Sequence, residues 1–157
     1  MAMKATAGAL FAGGALLVAA CGGSAQPTKQ ATKPAAAQSG GLKVTTSGKG
    51  FLTDGSGRAL YLWVADTGSK SVCSGECADD WPPLTTQGTP SAAGSVKAGD
   101  LGTTARSGGA KQVTYDGHPL YYYEGDTGPG TTTGQGSPQF GAKWWLVAPS
   151  GKAITTG

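Results

Sequence analysis

From residue 42 onward the apolar residues fall in short runs with turn-forming residues between them, a pattern that predicts strands. The candidates are residues 42–46 (LKVTT), 51–53 (FLT), 59–64 (ALYLWV), 111–115 (KQVTY), 119–124 (PLYYYE) and 144–148 (WWLVA), with 152–155 (KAIT) a weaker one. No stretch keeps a helical period over three turns, although CADDW at 77–81 suits a single short turn. In QVTYDGHPLYYY, two β-prone runs flank Asp116 and Gly117, and Asp-Gly readily takes the positive φ values of a tight hairpin. FLTDGSGRALYLW repeats that arrangement with a looser turn.

The frame Leu-Tyr-x-aromatic-x-x-Asp-Thr-Gly occurs twice, as LYLWVADTG from Leu60 and LYYYEGDTG from Leu120. Alternation along a strand places Tyr61 and Trp63 on one face and Leu60, Leu62 and Val64 on the other. In the second copy it sets Tyr121 and Tyr123 against Leu120 and Tyr122. A strand apolar on both faces belongs in the middle of a covered sheet, so the rings are expected in packing. Asp66 and Asp126 follow, each before Thr-Gly. The expectation is a turn in which each carboxylate accepts a backbone N–H two residues on. The predicted fold is all-β, a small sandwich- or barrel-like domain of two related hairpin or meander repeats with little helix. It covers residues 42–157, with repeat one at about 48–96 and repeat two at about 97–157.

Charge and composition change the picture mainly before that domain. Of twelve Lys and Arg, Lys4, Lys29 and Lys33 precede residue 42, which leaves nine cations against nine acids. The basic balance of the whole chain therefore offers no argument for nucleic acid, and no basic patch alternates with aromatics. Residues 1–20 have the layout of a secretory signal, with one cation, an uncharged run and small residues before Cys21. The ending LVAAC resembles the lipobox of bacterial lipoproteins, which implies a diacylglyceryl and palmitate-type anchor on Cys21. Residues 21–41 then form a linker too poor in apolar residues to fold, spanning roughly 25 Å as a coil. With Cys21 acylated, Cys73 and Cys77 remain as a pair in an oxidising compartment, where a disulfide is the default.

YLWVAD and YYYEGD match the Yx(FWY)xxD signature, and the surrounding chain resembles a family of bacterial lipoproteins described as a secreted repeat of unknown function. The likeness covers nearly all of residues 48–157. Carried over, the signature positions are Tyr61, Trp63 and Asp66, then Tyr121, Tyr123 and Asp126. The element CSGECADDWPP, with Cys73, Cys77, Trp81, Pro82 and Pro83, belongs to the first copy alone; sixty residues on from the cysteines stand Thr133 and Ser137. The family implies no established activity.

Catalytic chemistry has little to stand on. His118 is the single histidine, no G-x-S-x-G elbow is present, and GSGR joins two strands instead of cradling phosphate ahead of a helix. C-x-x-x-C with His118 could hold copper or zinc through thiolates and imidazole, which leaves a metal-handling or redox lipoprotein as the alternative. The primary expectation is a non-catalytic surface module with no cofactor, held on the outer face of the cell membrane by its lipid. It would meet an envelope component or a small ligand through aromatics such as Tyr122, Trp144 or Trp145.

Overall fold

A computed structural model describes residues 41–156. The signal segment, Cys21 and the linker up to residue 40 lie outside the described residues. Strands β1 (Lys43–Thr46), β2 (Leu52–Asp54) and β3 (Tyr61–Trp63) are followed by the one α-helix of the described residues, α1 (Glu76–Asp80). Then come β4 (Thr85–Thr86), β5 (Ser91–Ala92), β6 (Leu101–Ala105), β7 (Lys111–Tyr115), β8 (His118–Pro119) and β9 (Trp144–Leu146). Three small sheets result: β2-β1-β5, β3-β9, and β4-β7-β6 with β8 also on β7. The fold is all-β, as the alternating pattern indicates.

Turn chemistry sets the local register. At the β7–β8 hairpin Asp116 (φ 47°) and Gly117 (φ 78°) both take positive φ, and Tyr115 pairs with His118. The looser turn of the first copy is held by Asp54, whose Oδ1 accepts from the amides of Ser56 at 2.9 Å and Arg58 at 3.0 Å. The expected strand at 119–124 is the main departure. Only Pro119 at its start joins a ladder, and Tyr121 makes isolated bridges to Tyr61 and to Pro83. It is extended, but its neighbours are a motif residue of the other repeat and a Pro-Pro segment that supplies few donors. Strands β4, β5 and β6 arise in Gly-, Ser- and Thr-rich stretches without an apolar run, where alternation gives no signal.

The two repeats are not side by side. Strand β3 of the first repeat pairs with β9 of the second, Tyr61 opposite Leu146 and Trp63 opposite Trp144. Reciprocally, the second motif lies along the tail of the first repeat: the Tyr122 amide donates to Pro82 O at 2.8 Å and the Glu124 amide to Asp80 O at 2.9 Å. At the centre Tyr61 and Tyr121 exchange both backbone bonds, each 2.9 Å. A pseudo-two-fold axis thus passes between the two signature tyrosines, and each motif completes the other half.

Alternation then builds two cores. One face of the motif strands contributes Leu60, Leu62 and Leu120 to an aliphatic core with Val44, Leu52, Leu84, Val113 and Val147. The other contributes Tyr61, Trp63 and Tyr121 to an aromatic core with Trp81, Trp144, Cys73 and Cys77.

Candidate functional site

The signature residues converge on that axis, crosswise. The Tyr61 hydroxyl donates to Asp126 Oδ2 at 2.7 Å, and the Tyr121 hydroxyl donates to Asp66 Oδ2 at 2.5 Å. Each tyrosine of one repeat therefore serves the aspartate of the other, and all four side chains are buried. The second carboxylate oxygens close loops: Asp66 Oδ1 accepts the Val72 amide at 2.8 Å. Asp126 Oδ1 accepts both the amide and the hydroxyl of Thr133, each at 2.8 Å. This corrects the expected turn, because the accepted amides lie six and seven residues on rather than two. The aspartates are buried hubs, and it is Asp54 that forms the local turn.

The two sites differ in their surroundings. Ser71 Oγ lies 2.5 Å from the Tyr121 hydroxyl. The Arg106 guanidinium donates to Ser71 Oγ at 2.7 Å, Gln112 Oε1 at 2.7 Å and the Cys73 carbonyl at 2.6 Å. Burial raises the Asp66 carboxyl above its usual range, opposed by the Tyr121 hydroxyl, the Val72 amide and the positive charge of Arg106. The hydroxyls of Tyr61 and Tyr121 are likewise pushed well above the ordinary phenol value, by burial first and then by the carboxylate each one faces. Tyr122 shares that direction, through burial and Asp54, whose Oδ2 accepts its hydroxyl at 2.9 Å. Arg58 lies 4.1 Å above the Tyr122 ring. These phenols stay neutral donors, their one proton committed to a carboxylate.

Around the tyrosines runs a ladder of four rings with the same two-fold relation. Trp63 stacks on Trp144 at 5.1 Å and Trp144 on Trp81 at 4.0 Å, and Tyr123 lies against Trp81 at 4.4 Å with its ring tilted by 30°. Tyr61 meets Trp81 edge-on and Tyr121 meets Trp144 edge-on. Gln139 ties the middle pair together, its Oε1 accepting from Trp81 Nε1 at 2.8 Å and its carbonyl from Trp144 Nε1 at 3.0 Å. Trp144 is therefore a central core residue and not an exposed contact, while Tyr122 and Trp145 are half-buried. The partnership of Trp81 with Trp144 is not legible in the motif, because these residues lie sixty-three apart, beyond the frame.

Cys73 and Cys77 are joined in a disulfide with Cα atoms 5.3 Å apart, against the aromatic core. His118 sits half-buried on β8, and its Nδ1, like Trp63 Nε1, is buried without a partner. No group of three or more His, Cys, Asp or Glu suited to a metal occurs among the described residues. An open hollow of about 210 Å³ lies elsewhere, between Gly88–Pro90 and β6, with Lys111 at its side and no signature residue in its lining.

The fold and the crosswise tyrosine–aspartate pairs define a two-repeat β module in which each signature completes the other half. The chain belongs to the family described as a secreted repeat of unknown function, whose model matches it twice, over residues 43–85 and 102–148. The module is accordingly a secreted one, working outside the cytoplasm. No curated protein and no solved structure shows significant similarity to it.

Proposed function

We propose that the protein is a non-catalytic surface module, anchored by lipid on Cys21 to the outer face of the cell membrane. The observation that carries the non-catalytic reading is the fate of the signature. Both tyrosine hydroxyls and both carboxylates are buried and bonded to one another, so the residues that define the family hold the fold together and leave recognition to the surface. The anchor rests on the sequence around Cys21, and a two-chain acyl group would hold the module on the bilayer. Metal handling through Cys73, Cys77 and His118 would need two thiolates, whereas the two sulfurs are bonded to each other. Cells fed an alkyne-bearing fatty acid should label the protein and retain it in the membrane fraction, and Cys21→Ser should abolish both. Equal labelling of Cys21→Ser would overturn the anchor. Stoichiometric zinc or copper in the purified, non-reduced protein, lost in His118→Ala, would overturn the non-metal reading.

A further inference from the structure

Among the described residues the sheets leave one long margin open. The outer side of β2 is taken: the Leu52 amide donates to Val147 O at 2.8 Å, and Leu52 O accepts the Leu60 amide at 3.0 Å. That of β9 is taken by Ile154, whose amide donates to Leu146 O at 2.9 Å, and β3 bridges to Tyr121. Strands β4, β5 and β8 run for two residues each. Strand β6 is five residues long and ends the sheet β4-β7-β6, paired to β7 alone.

The phase of that pairing fixes which backbone groups of β6 are left over. The Asp116 amide donates to Asp100 O and the Arg106 amide to Ala110 O, each at 2.9 Å, so the even-numbered residues between Asp100 and Arg106 face β7. Opposite Thr103, Val113 turns its amide to Leu84 O and its carbonyl to the Leu120 amide instead. Thr103 and Ala105 therefore present N–H and C=O outward, without a hydrogen-bond partner among the described residues. Leu101 presents its carbonyl, its amide being held by Ala98 O. The devices that normally blunt such an edge are missing, since LGTTA has no proline, no charge and no bulge in its register. Thr103 and Ala105 are exposed, and the open hollow beside Leu101, Gly102 and Thr103 keeps one flank of the edge clear.

A strand docking here must also pass the turns at the two ends of β6, and these differ. Before β6 stand Lys97 and Asp100, ion-paired at 3.7 Å. After it stand Gly108 and Gly109, where an added Cβ would meet nothing within 4 Å. A second copy laid antiparallel across a two-fold axis at Thr103 sets one end against the other: Lys97 comes opposite Gly109, Ala98 opposite Gly108 and Asp100 opposite Arg106. The side chains of one turn thus meet the bare backbone of the other. Opposite charges are also brought together, since the Arg106 guanidinium is bonded to neutral oxygens.

We propose that β6 is a dimerisation edge, at which two copies of the chain join their β4-β7-β6 sheets antiparallel about Thr103. In that register the Thr103 N–H and C=O exchange bonds with the same groups of the second copy, and each Ala105 N–H reaches the other copy's Leu101 C=O. The pairing satisfies both outward donors and does not depend on acylation. The test is sedimentation velocity on secreted chain carrying Cys21→Ser, recovered from culture medium so that no acyl chain drives association. The chain should form a closed dimer whose share rises with concentration. Thr103→Lys and Thr103→Glu each set like charges opposite one another and should weaken dimerisation about tenfold. Both should leave the melting temperature unchanged, because the Thr103 side chain is exposed. An equimolar mixture of the two variants should regain the dimer, since the axis sets Thr103 opposite Thr103. Thr103→Cys should be cross-linked by a short bismaleimide, and Lys49→Cys, in the turn between β1 and β2, should not. A chain monomeric at every concentration, dimers indifferent to the two charges, variants that fail to complement each other, or an open series of oligomers would each overturn the proposal.

Discussion

At the residue scale, the fold turns on four buried polar side chains that satisfy one another across the axis. A buried carboxylate deprived of its donor keeps its desolvation cost and loses the bond, so Tyr61→Phe and Tyr121→Phe should each lose about 1 to 3 kcal/mol in denaturant titration. Tyr61→Ala should lose about 3 to 5 kcal/mol, since it also opens a cavity against Trp81. The same pairs set the alkaline limit. The folded-state pKa values of Tyr61, Tyr121 and Tyr122 lie above the unfolded value of 10.0. Their contribution is therefore complete below about pH 10 and declines above it, as the unfolded chain releases protons the native one keeps. Absorbance at 295 nm should show part of the tyrosine signal ionising only together with unfolding. Gly134 belongs to this scale as well. A methyl there would meet Trp81 Cη2 at 2.6 Å and Tyr123 Cγ at 3.0 Å, so Gly134→Ala should destabilise by about 1 to 3 kcal/mol through overpacking.

At the scale of elements, the sequence shows well what depends on alternation and turn chemistry, and poorly what depends on distant partners. Strand β7 and the Asp116–Gly117 turn are legible because β-propensity, alternation and φ preference agree over a few residues. The partition of Tyr61 and Trp63 from Leu60 and Leu62 is legible for the same reason, and it allots them to the two cores. Strand β6 is not, since LGTTA has too little apolar content to mark a strand until β7 supplies its partner. The pairing of Tyr61 with Asp126 and of Tyr121 with Asp66 spans 65 and 55 residues. Nothing within a single motif distinguishes a carboxylate that closes its own turn from one that reaches the other repeat. The loop from Asp66 to α1 is held at both ends, by Val72 on Asp66 and by the disulfide. Closing so short a loop restricts the unfolded chain by about 2 kcal/mol. Reduction should lower the unfolding free energy from denaturant titration by that amount, and the same treatment of a Cys73→Ala, Cys77→Ala protein should change nothing.

For the whole molecule, the reciprocal pairing of motif strands with opposite tails makes the halves interdependent. A repeat protein whose units pack side by side keeps much of each unit's structure when separated; this one has no sheet β3-β9 and no tyrosine–aspartate bond until both halves are present. Folding should accordingly be a single transition, with tryptophan fluorescence and far-ultraviolet circular dichroism coinciding. The breaks in the symmetry, such as exposed Asp79 and Asp80 in the first repeat where the second has Ala142 and Lys143, lie outside the shared core, which is where a secreted module can diverge without losing its fold.

Producing residues 42–96 and 97–157 as separate chains, then mixing them, tests the crosswise architecture most directly. Each fragment alone should give a near-ultraviolet spectrum without ordered tryptophan signal, and the mixture should recover the intact protein's spectrum as a one-to-one complex. A well-ordered spectrum and cooperative melting from either fragment by itself would contradict the interlocked pairing.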